Sequence, residues 1–195
     1  MAKLYFKYGA MGCSKTAQAL ITKFNYEERG MKVLLLKPAI DNRDGASIVK
    51  SRIGLTGDAL AVSSNEDIFA LYSEKYSDAN VVIVDECQFL TPEQVDQLGQ
   101  IVIDFDIPVL CFGLATDFLT HLFPGSRRLF EIAESIKEIK SICKCGAKAT
   151  VNARLDDNGN VVFSGEQVCL GGNERYVAMC RKCWLKHKKN QAQGE

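Results

Sequence analysis

The sequence LYFKYGAMGCSKT, residues 4–16, decides how the rest of the chain is read. Its apolar and aromatic opening, residues 4–8, has the character of a buried strand. A glycine-containing turn follows at Gly9, then Lys15 and Thr16 ahead of a segment with helical spacing. Strand, loop, Lys-Thr and helix together form the context of a phosphate-binding loop, whose pattern is G-x-x-x-x-G-K-S/T. Such a loop works because backbone N–H groups converge at a helix start, where the helix dipole adds partial positive charge. Lys15 then reaches the outer phosphates and Thr16 offers its hydroxyl to Mg²⁺. Gly9, Lys15 and Thr16 match the pattern, while Ser14 stands at the second glycine position. Glycine serves there for close backbone approach and unusual dihedrals. An ordinary strand-to-helix turn is the plainer alternative.

Beyond the loop, composition narrows the class. The 195 residues suffice for one sizeable core, or one domain with a small appendage. Lys+Arg and Asp+Glu are both 24, a net charge of zero, which argues against a non-specific nucleic-acid binder. The chain enters a strand directly, without a charged-then-apolar leader. No apolar run approaches the ~18 residues of a membrane span. The expectation is a soluble, cytoplasmic protein with no nucleic-acid or membrane partner. Of eight cysteines, four fall in two tight pairs, Cys143/Cys145 and Cys180/Cys183, an arrangement that favours metal over disulfides in the cytosol.

Outward from the loop, residues 15–29 have helical spacing, with Gly30 as a C-terminal cap. Residues 33–36 form a continuous apolar run, the mark of a strand covered on both faces. The polar stretch 39–59 lacks strong periodicity and reads as a functional loop or lid. Residues 60–62 suit a short strand, and Ser64 with Asp67 suits the cap of a helix to about Tyr76. Val81 to Val84 is a buried strand ending in Asp85-Glu86. Thr91-Pro92-Glu93-Gln94 carries a capping Thr, a Pro at the first helical position and a Gln three residues after the cap, starting a helix to about Phe105. A strand over 109–112, a loop, and a short helix capped by Ser126 follow. Strands alternating with helices over short connections imply a doubly wound, parallel α/β sheet. Ligands bind at the carboxyl ends of such strands, where the Gly9 loop, Asp41, Asp85-Glu86 and the 114–126 loop all lie.

After Ile142 the grammar changes, which places a boundary near Ser141 and gives two domains, 1–141 and 142–195. A strand over 149–155, the turn Asp157-Asn158-Gly159-Asn160 and a return strand over 161–163 make a hairpin. The tail from Trp184 is basic and helical, its KHKK most simply a solvated end.

Four residue groups carry chemistry. An apolar strand ending in Asp85-Glu86 has the form of a Walker-B motif, with Asp85 toward metal and Glu86 as general base, against the plainer reading of a solvated turn. Cys143-x-Cys145 and Cys180-x-x-Cys183 make two knuckles for a closed, structural Zn²⁺ site, with Gly146 letting the tight first knuckle turn; two reduced pairs or a disulfide are the alternatives. Zinc would supply the core that a lobe of ~50 residues lacks. Cys87 and Cys111 read as small buried hydrophobes, and Cys13 lies within the loop beside Lys15. His121 and His187 read as structural or surface residues. The glycine-rich loop 164–175 is tethered at both ends and suited to wrapping a small ligand with backbone hydrogen bonds.

Taken together, YGAMGCSKT, KPAIDNR, VVIVDECQFL, VLCFGLATDF, the Cys143/Cys145 knuckle, and GEQV-x-x-GGNERYV followed by CRKC resemble the type II thymidine kinases, the zinc-containing cytosolic-type family. The resemblance runs from Leu4 to about Trp184. It implies a P-loop NTPase-like fold with a zinc-ribbon-like lobe, and transfer of the ATP γ-phosphate to the 5′-hydroxyl of thymidine with Mg²⁺. Gly9, Ala10, Met11, Gly12, Cys13, Ser14, Lys15 and Thr16 would cradle the phosphates, with Asp85, Glu86, Cys87 and Gln88 completing the ATP site and Glu86 taking the 5′-hydroxyl proton. Met11 and Phe118 would line the base pocket. Val168, Cys169, Leu170, Gly171, Gly172 and Tyr176 fall in the family's lasso, which closes over thymidine, dTMP or dTTP and reads the base through main-chain groups. Asp41 and Arg43 match a motif that also faces the active site. The family implies a homotetramer in nucleotide salvage for DNA synthesis. Ser14 and the shortened knuckle depart from the family pattern. Two readings compete with the kinase: a zinc-ribbon nucleic-acid module, and an NTPase that turns over ATP without nucleoside.

Overall fold

A computed structural model of the chain describes residues 1–42, 45, 47–167 and 175–192. In the larger lobe β1 (Leu4–Tyr8) leads through the glycine-containing loop into α1 (Lys15–Glu27) and β2 (Val33–Pro38). A hairpin of β3 (Ile48–Lys50) and β4 (Thr56–Asp58) precedes β5 (Leu60–Val62), α2 (Ile68–Lys75) and β6 (Val81–Val84). Then come α3 (Pro92–Phe105), β7 (Val109–Gly113), α4 (Pro124–Ile132) and β8 (Ser135–Glu138). Six strands form one sheet in the order β5-β2-β6-β7-β1-β8, every pairing parallel.

Alternation along the strands separates two cores. Leu34, Leu36, Val82, Val84, Val109 and Cys111 face α2, α3 and α4, where Leu71, Tyr72, Leu98, Ile101 and Leu129 meet them. Their neighbours Leu35, Val81, Ile83, Leu110 and Phe112 face the other way, onto Ala19 and Leu20 of α1. All four residues of β6 are therefore buried, as a strand between two helical layers requires.

The helix boundaries follow local chemistry. Thr91 and Gln94 exchange side chain-to-backbone hydrogen bonds in a complete capping box with Pro92 in the first turn. Two expected caps are corrected. Asp67 itself caps α2, its carboxylate accepting from the Ala70 N–H at 2.9 Å, so Ser64 lies too early. Phe123 precedes α4, Pro124 opens it, and Ser126 is buried inside the helix with its hydroxyl donated to the Leu114 carbonyl. The stretch 39–59 is also not wholly loop, because β3 and β4 pair antiparallel within it. Lys37 fixes its near end, donating to the carbonyls of Gly45 and Ile48 at 2.8 and 2.9 Å. The parallel edge strand β8 was not expected at all.

The smaller lobe holds β9 (Ser141–Ile142) paired with β10 (Lys148–Ala149), then a three-stranded antiparallel sheet. Its central strand is β11 (Val151–Leu155), flanked by β12 (Val161–Val162) and β13 (Tyr176–Met179). The turn between β11 and β12 is closed by the Asp156 carboxylate, which accepts from the N–H groups of Asn158 and Asn160. Helix α5 (Arg181–Ala192) begins three residues before the expected Trp184, inside the second cysteine pair. The lobes are joined through the loop after β1: Ala10 packs in the small lobe's core, the Met11 N–H donates to Asn152 Oδ1 at 2.7 Å, and Asn152 Nδ2 donates to the Thr116 carbonyl at 3.0 Å.

Candidate active site

The register of the sheet brings four loop starts to one edge. Tyr8 pairs with Gly113, Val84 with Cys111, and Leu36 with Val84. The Gly9 N–H then donates to the Gly113 carbonyl, and the Asp85 N–H to that of Leu36. Gly9 is required by close approach, because a Cβ there would lie 2.3 Å from the Ile139 carbonyl oxygen and 2.6 Å from Cys13 Sγ. Ser14 holds φ 65°, the left-handed conformation that glycine adopts freely, and α1 begins immediately after it. The serine has thus kept the backbone geometry of the position it occupies.

Lys15 is buried, and its Nζ donates to the carbonyls of Gly9 and Ala10, both at 3.0 Å, and to Cys13 Sγ at 3.5 Å. This folds the ammonium over its own loop. Thr16 is hydrogen-bonded through its side chain to Asp85. Burial, and next the charge of Glu86, push the Asp85 carboxyl up to about 7 against the lowering effect of the Thr16 hydrogen bond and Lys15. A hydroxyl and a carboxylate in contact are the hard oxygen donors that suit Mg²⁺, and a dication there would replace the proton that burial favours.

Glu86 also sits in the left-handed region, at φ 52°, between β6 and a 3₁₀ turn at Cys87–Phe89. A non-glycine residue held there is a stored cost that aims its side chain. Gln88 supports it: buried, it donates Nε2 to Glu86 Oε2 at 2.6 Å and accepts the Leu114 N–H on Oε1 at 2.9 Å. Cys87 lies under β7, where a Cβ on Gly113 would approach its Sγ to 2.7 Å, and burial raises its thiol pKa well above the ordinary value. It is a packing residue rather than a reactive thiol.

One cavity of about 270 Å³ gathers these pieces. Met11, Gly12, Ser14, Lys15 and Thr16 line one part, with Asp41 and the hairpin residues Lys50, Ser51, Arg52 and Ile53. Phe89, Leu114, Phe118, Phe123 and Tyr176 supply apolar and aromatic wall, and Glu86 and Gln88 belong to the same lining. Gly9 and Ala10 line a neighbouring cleft instead, and Asp85 is buried, hydrogen-bonded to Thr16. Asp117, Asn152 and Gln167 also face the cavity and were not anticipated. Asp117 stands in a segment read only as loop, and Asn152 within a strand read only for its pattern. Arg43, Val168, Cys169, Leu170, Gly171 and Gly172 lie outside the described residues.

The sulfurs of Cys143, Cys145, Cys180 and Cys183 lie within 4.8 Å of one another, with Cys145 and Cys180 at 3.6 Å. Tetrahedral Zn–S bonds of ~2.3 Å place sulfurs about 3.8 Å apart, so the four thiols fit the ion. Gly146, at φ 86°, makes the tight turn of the first knuckle, and its N–H donates to the Cys143 carbonyl. Backbone N–H groups of Cys145 and Cys180 lower the Cys143 thiol to about 6, while hydrogen bonds with the other thiols, Cys180 first, raise Cys183 to about 12. Crowded thiols sharing protons in this way are what a divalent cation relieves.

Comparison with known proteins gives a consistent result. The family model described as thymidine kinase matches residues 2–184. A thymidine kinase of Yersinia pseudotuberculosis serotype I (strain IP32953) is 47% identical over 184 residues, 93% of this chain and 94% of that one. One from Legionella pneumophila (strain Lens) is 48% identical over 198 residues, covering 98% and 92%. One from Enterobacteria phage T4 is 48% identical over 186 residues, covering 94% and 96%.

Proposed function

The chain belongs to the thymidine kinase family, and from that premise we propose that one cavity takes both substrates, ATP on the phosphate loop and thymidine against Phe118 and Tyr176. The protein is a kinase acting on thymidine. The observation that carries the division of the cavity is its lining: phosphate-loop residues, aromatic wall and Glu86 share a space of about 270 Å³.

In this reading the N–H groups at the start of α1 hold the phosphates, and Lys15 exchanges the Gly9 and Ala10 carbonyls for phosphate oxygen. Thr16 and Asp85 would hold Mg²⁺, which would supply neutralisation of phosphate charge. Glu86, oriented by Gln88, accepts the proton of the 5′-hydroxyl as its oxygen bonds to the γ-phosphorus. The bond from that phosphorus to the β–γ bridging oxygen breaks, leaving ADP and dTMP. Little covalent chemistry is asked of the protein, and positioning dominates. Met11 and Phe118 line the base side, and residues 168–172 are assigned, with Tyr176, to main-chain recognition of the base. Asp41 and Arg43 are assigned to the same active site.

The proposal divides the chain into an ATP-binding α/β domain, 1–141, and a zinc lobe with the nucleoside loop, 142–195. It includes a cytoplasmic homotetramer working in nucleotide salvage without nucleic-acid or membrane partners.

A nucleoside panel with ATP and Mg²⁺, read as phosphorylated product, tests the function. Thymidine-dependent ADP release is expected, with deoxyuridine poorer because the 5-methyl contact is worth only about 1–3 kcal/mol. ADP release that ignores nucleoside would favour the NTPase reading instead.

A further inference from the structure

Arg154 lies on the central strand of the small lobe, buried, and no carboxylate stands among its described partners. Burying a guanidinium is costly unless its donors are satisfied. Here three nitrogens are spent on three partners. Nε donates to the Tyr176 hydroxyl at 2.9 Å, one terminal nitrogen to the Glu166 carbonyl at 2.9 Å, and the other to the Gln167 carbonyl at 3.2 Å. The guanidinium plane also covers Phe118, its carbon 3.8 Å from the ring centroid. A second link closes the frame: Gln167 Nε2 donates to Asp117 Oδ2 at 2.9 Å, and Asp117 Oδ1 accepts the N–H groups of Leu119 and His121. Phe118, Gln167 and Tyr176 all line the cavity, whereas Arg154 stands behind them.

We propose that Arg154 is a positioning residue for the nucleoside, one guanidinium that fixes the Phe118 ring, Gln167 and Tyr176 as a preformed wall without touching substrate. This rests on the reading that thymidine occupies the Phe118 side of the cavity. A wall held in place before binding saves the ordering cost that binding would otherwise carry. The effect therefore falls on thymidine affinity and leaves the phosphate loop, on the other lobe, alone. Lysine offers a point charge without the planar fork, so it cannot hold two carbonyls, a hydroxyl and a ring together.

The test is steady-state kinetics of the zinc-loaded protein with Arg154→Met, Arg154→Lys, Tyr176→Phe and Phe118→Ala. Arg154→Met is expected to raise the thymidine KM about tenfold or more, as loss of charge-assisted hydrogen bonds does. The ATP KM and kcat should stay within about threefold, and Arg154→Lys should not rescue. An unchanged thymidine KM, a rise in both KM values together with zinc loss, or full rescue by lysine would overturn the proposal. Where Arg154→Met does not fold, Tyr176→Phe removes only the hydroxyl end of the frame; it should raise the thymidine KM about threefold, and no rise would overturn the proposal equally. Phe118→Ala separates the two levels. If it leaves the thymidine KM unchanged, the placement of the nucleoside is wrong, whereas a large rise with Arg154→Met silent defeats only the role of Arg154.

Discussion

The two lobes reach one cavity on unequal supports. In the larger lobe, a parallel sheet is covered on both faces, and fully buried side chains such as Val81, Val82, Ile83, Leu98 and Ile101 each contribute roughly 1.5–3 kcal/mol. The smaller lobe gathers Ala10, Ala149, Val151, Ala153, Val161, Met179 and Trp184, with two of its own cysteines, into a core of mostly small residues. A core of this size is marginal by itself and gains from a staple. Four converging thiols could hold one, and structural zinc in small domains is worth about 10–16 kcal/mol at neutral pH. The lesson is a division of vulnerability. The loop after β1 springs from the buried sheet and touches the small lobe only through Ala10 and the Met11–Asn152 hydrogen bond, whereas Asn152, Arg154 and Tyr176 belong wholly to the lobe whose four thiols could hold a metal.

The largest expected effect breaks that division at its weak side. Cys183→Ser should lower zinc below one per chain and abolish thymidine phosphorylation, while ATP binding, tied to that lobe only through Ala10 and Met11, should weaken less. Metal analysis with calorimetric ATP binding checks this. Zinc-free protein with normal turnover would sink the staple.

A middle-sized effect belongs to the strong side. Asp85, pushed up to about 7 by burial and Glu86, holds a proton in the Mg²⁺-free folded protein that the unfolded chain has already lost. Its contribution to stability is therefore full below about pH 4 and declines as pH rises from there to about 7, by at most about 1.4 kcal/mol per unit. Asp85→Asn should lack this decline, and Mg²⁺ with nucleotide should suppress it. Denaturant midpoints between pH 4 and 8 for both proteins provide the check, and parallel curves would contradict it.

The smallest effect concerns Ser14. Replacement by glycine relieves a left-handed φ of 65° worth about 1 kcal/mol, partly offset by greater freedom of the unfolded chain. Ser14→Gly should keep or improve ATP affinity and leave the small lobe's zinc untouched. A large loss of ATP affinity would show that the hydroxyl itself engages phosphate.

What was legible in the sequence follows the same division. β6 and α3 could be read because complete burial gives a continuous apolar run and because Thr91-Pro92-Glu93-Gln94 spells its cap. The strand–loop–helix around residues 9–14 and the convergence of the four cysteines were legible because each depends on fixed spacing. β8 was not, since SIKE is an edge strand pairing on one side only and mostly polar. The β3–β4 hairpin was lost for a related reason: TGD carries no pattern, and its pairing partner supplies the order. Arg154 escaped because a charged residue in a strand is normally read as solvated, and only the fold shows a ring and two carbonyls waiting for it. Gln88 could be placed at the site, but its hold on Glu86 and the Leu114 N–H depends on β6 and β7 lying side by side.

The central claim is that Glu86 serves as the base for phosphoryl transfer where the two lobes meet. Its most direct test is product formation by Glu86→Gln with saturating ATP, Mg²⁺ and thymidine, alongside ATP binding to the same protein. Turnover should fall by about 10²–10⁴ with ATP affinity largely kept, as removal of a positioned base predicts. Near-normal turnover in Glu86→Gln would contradict it.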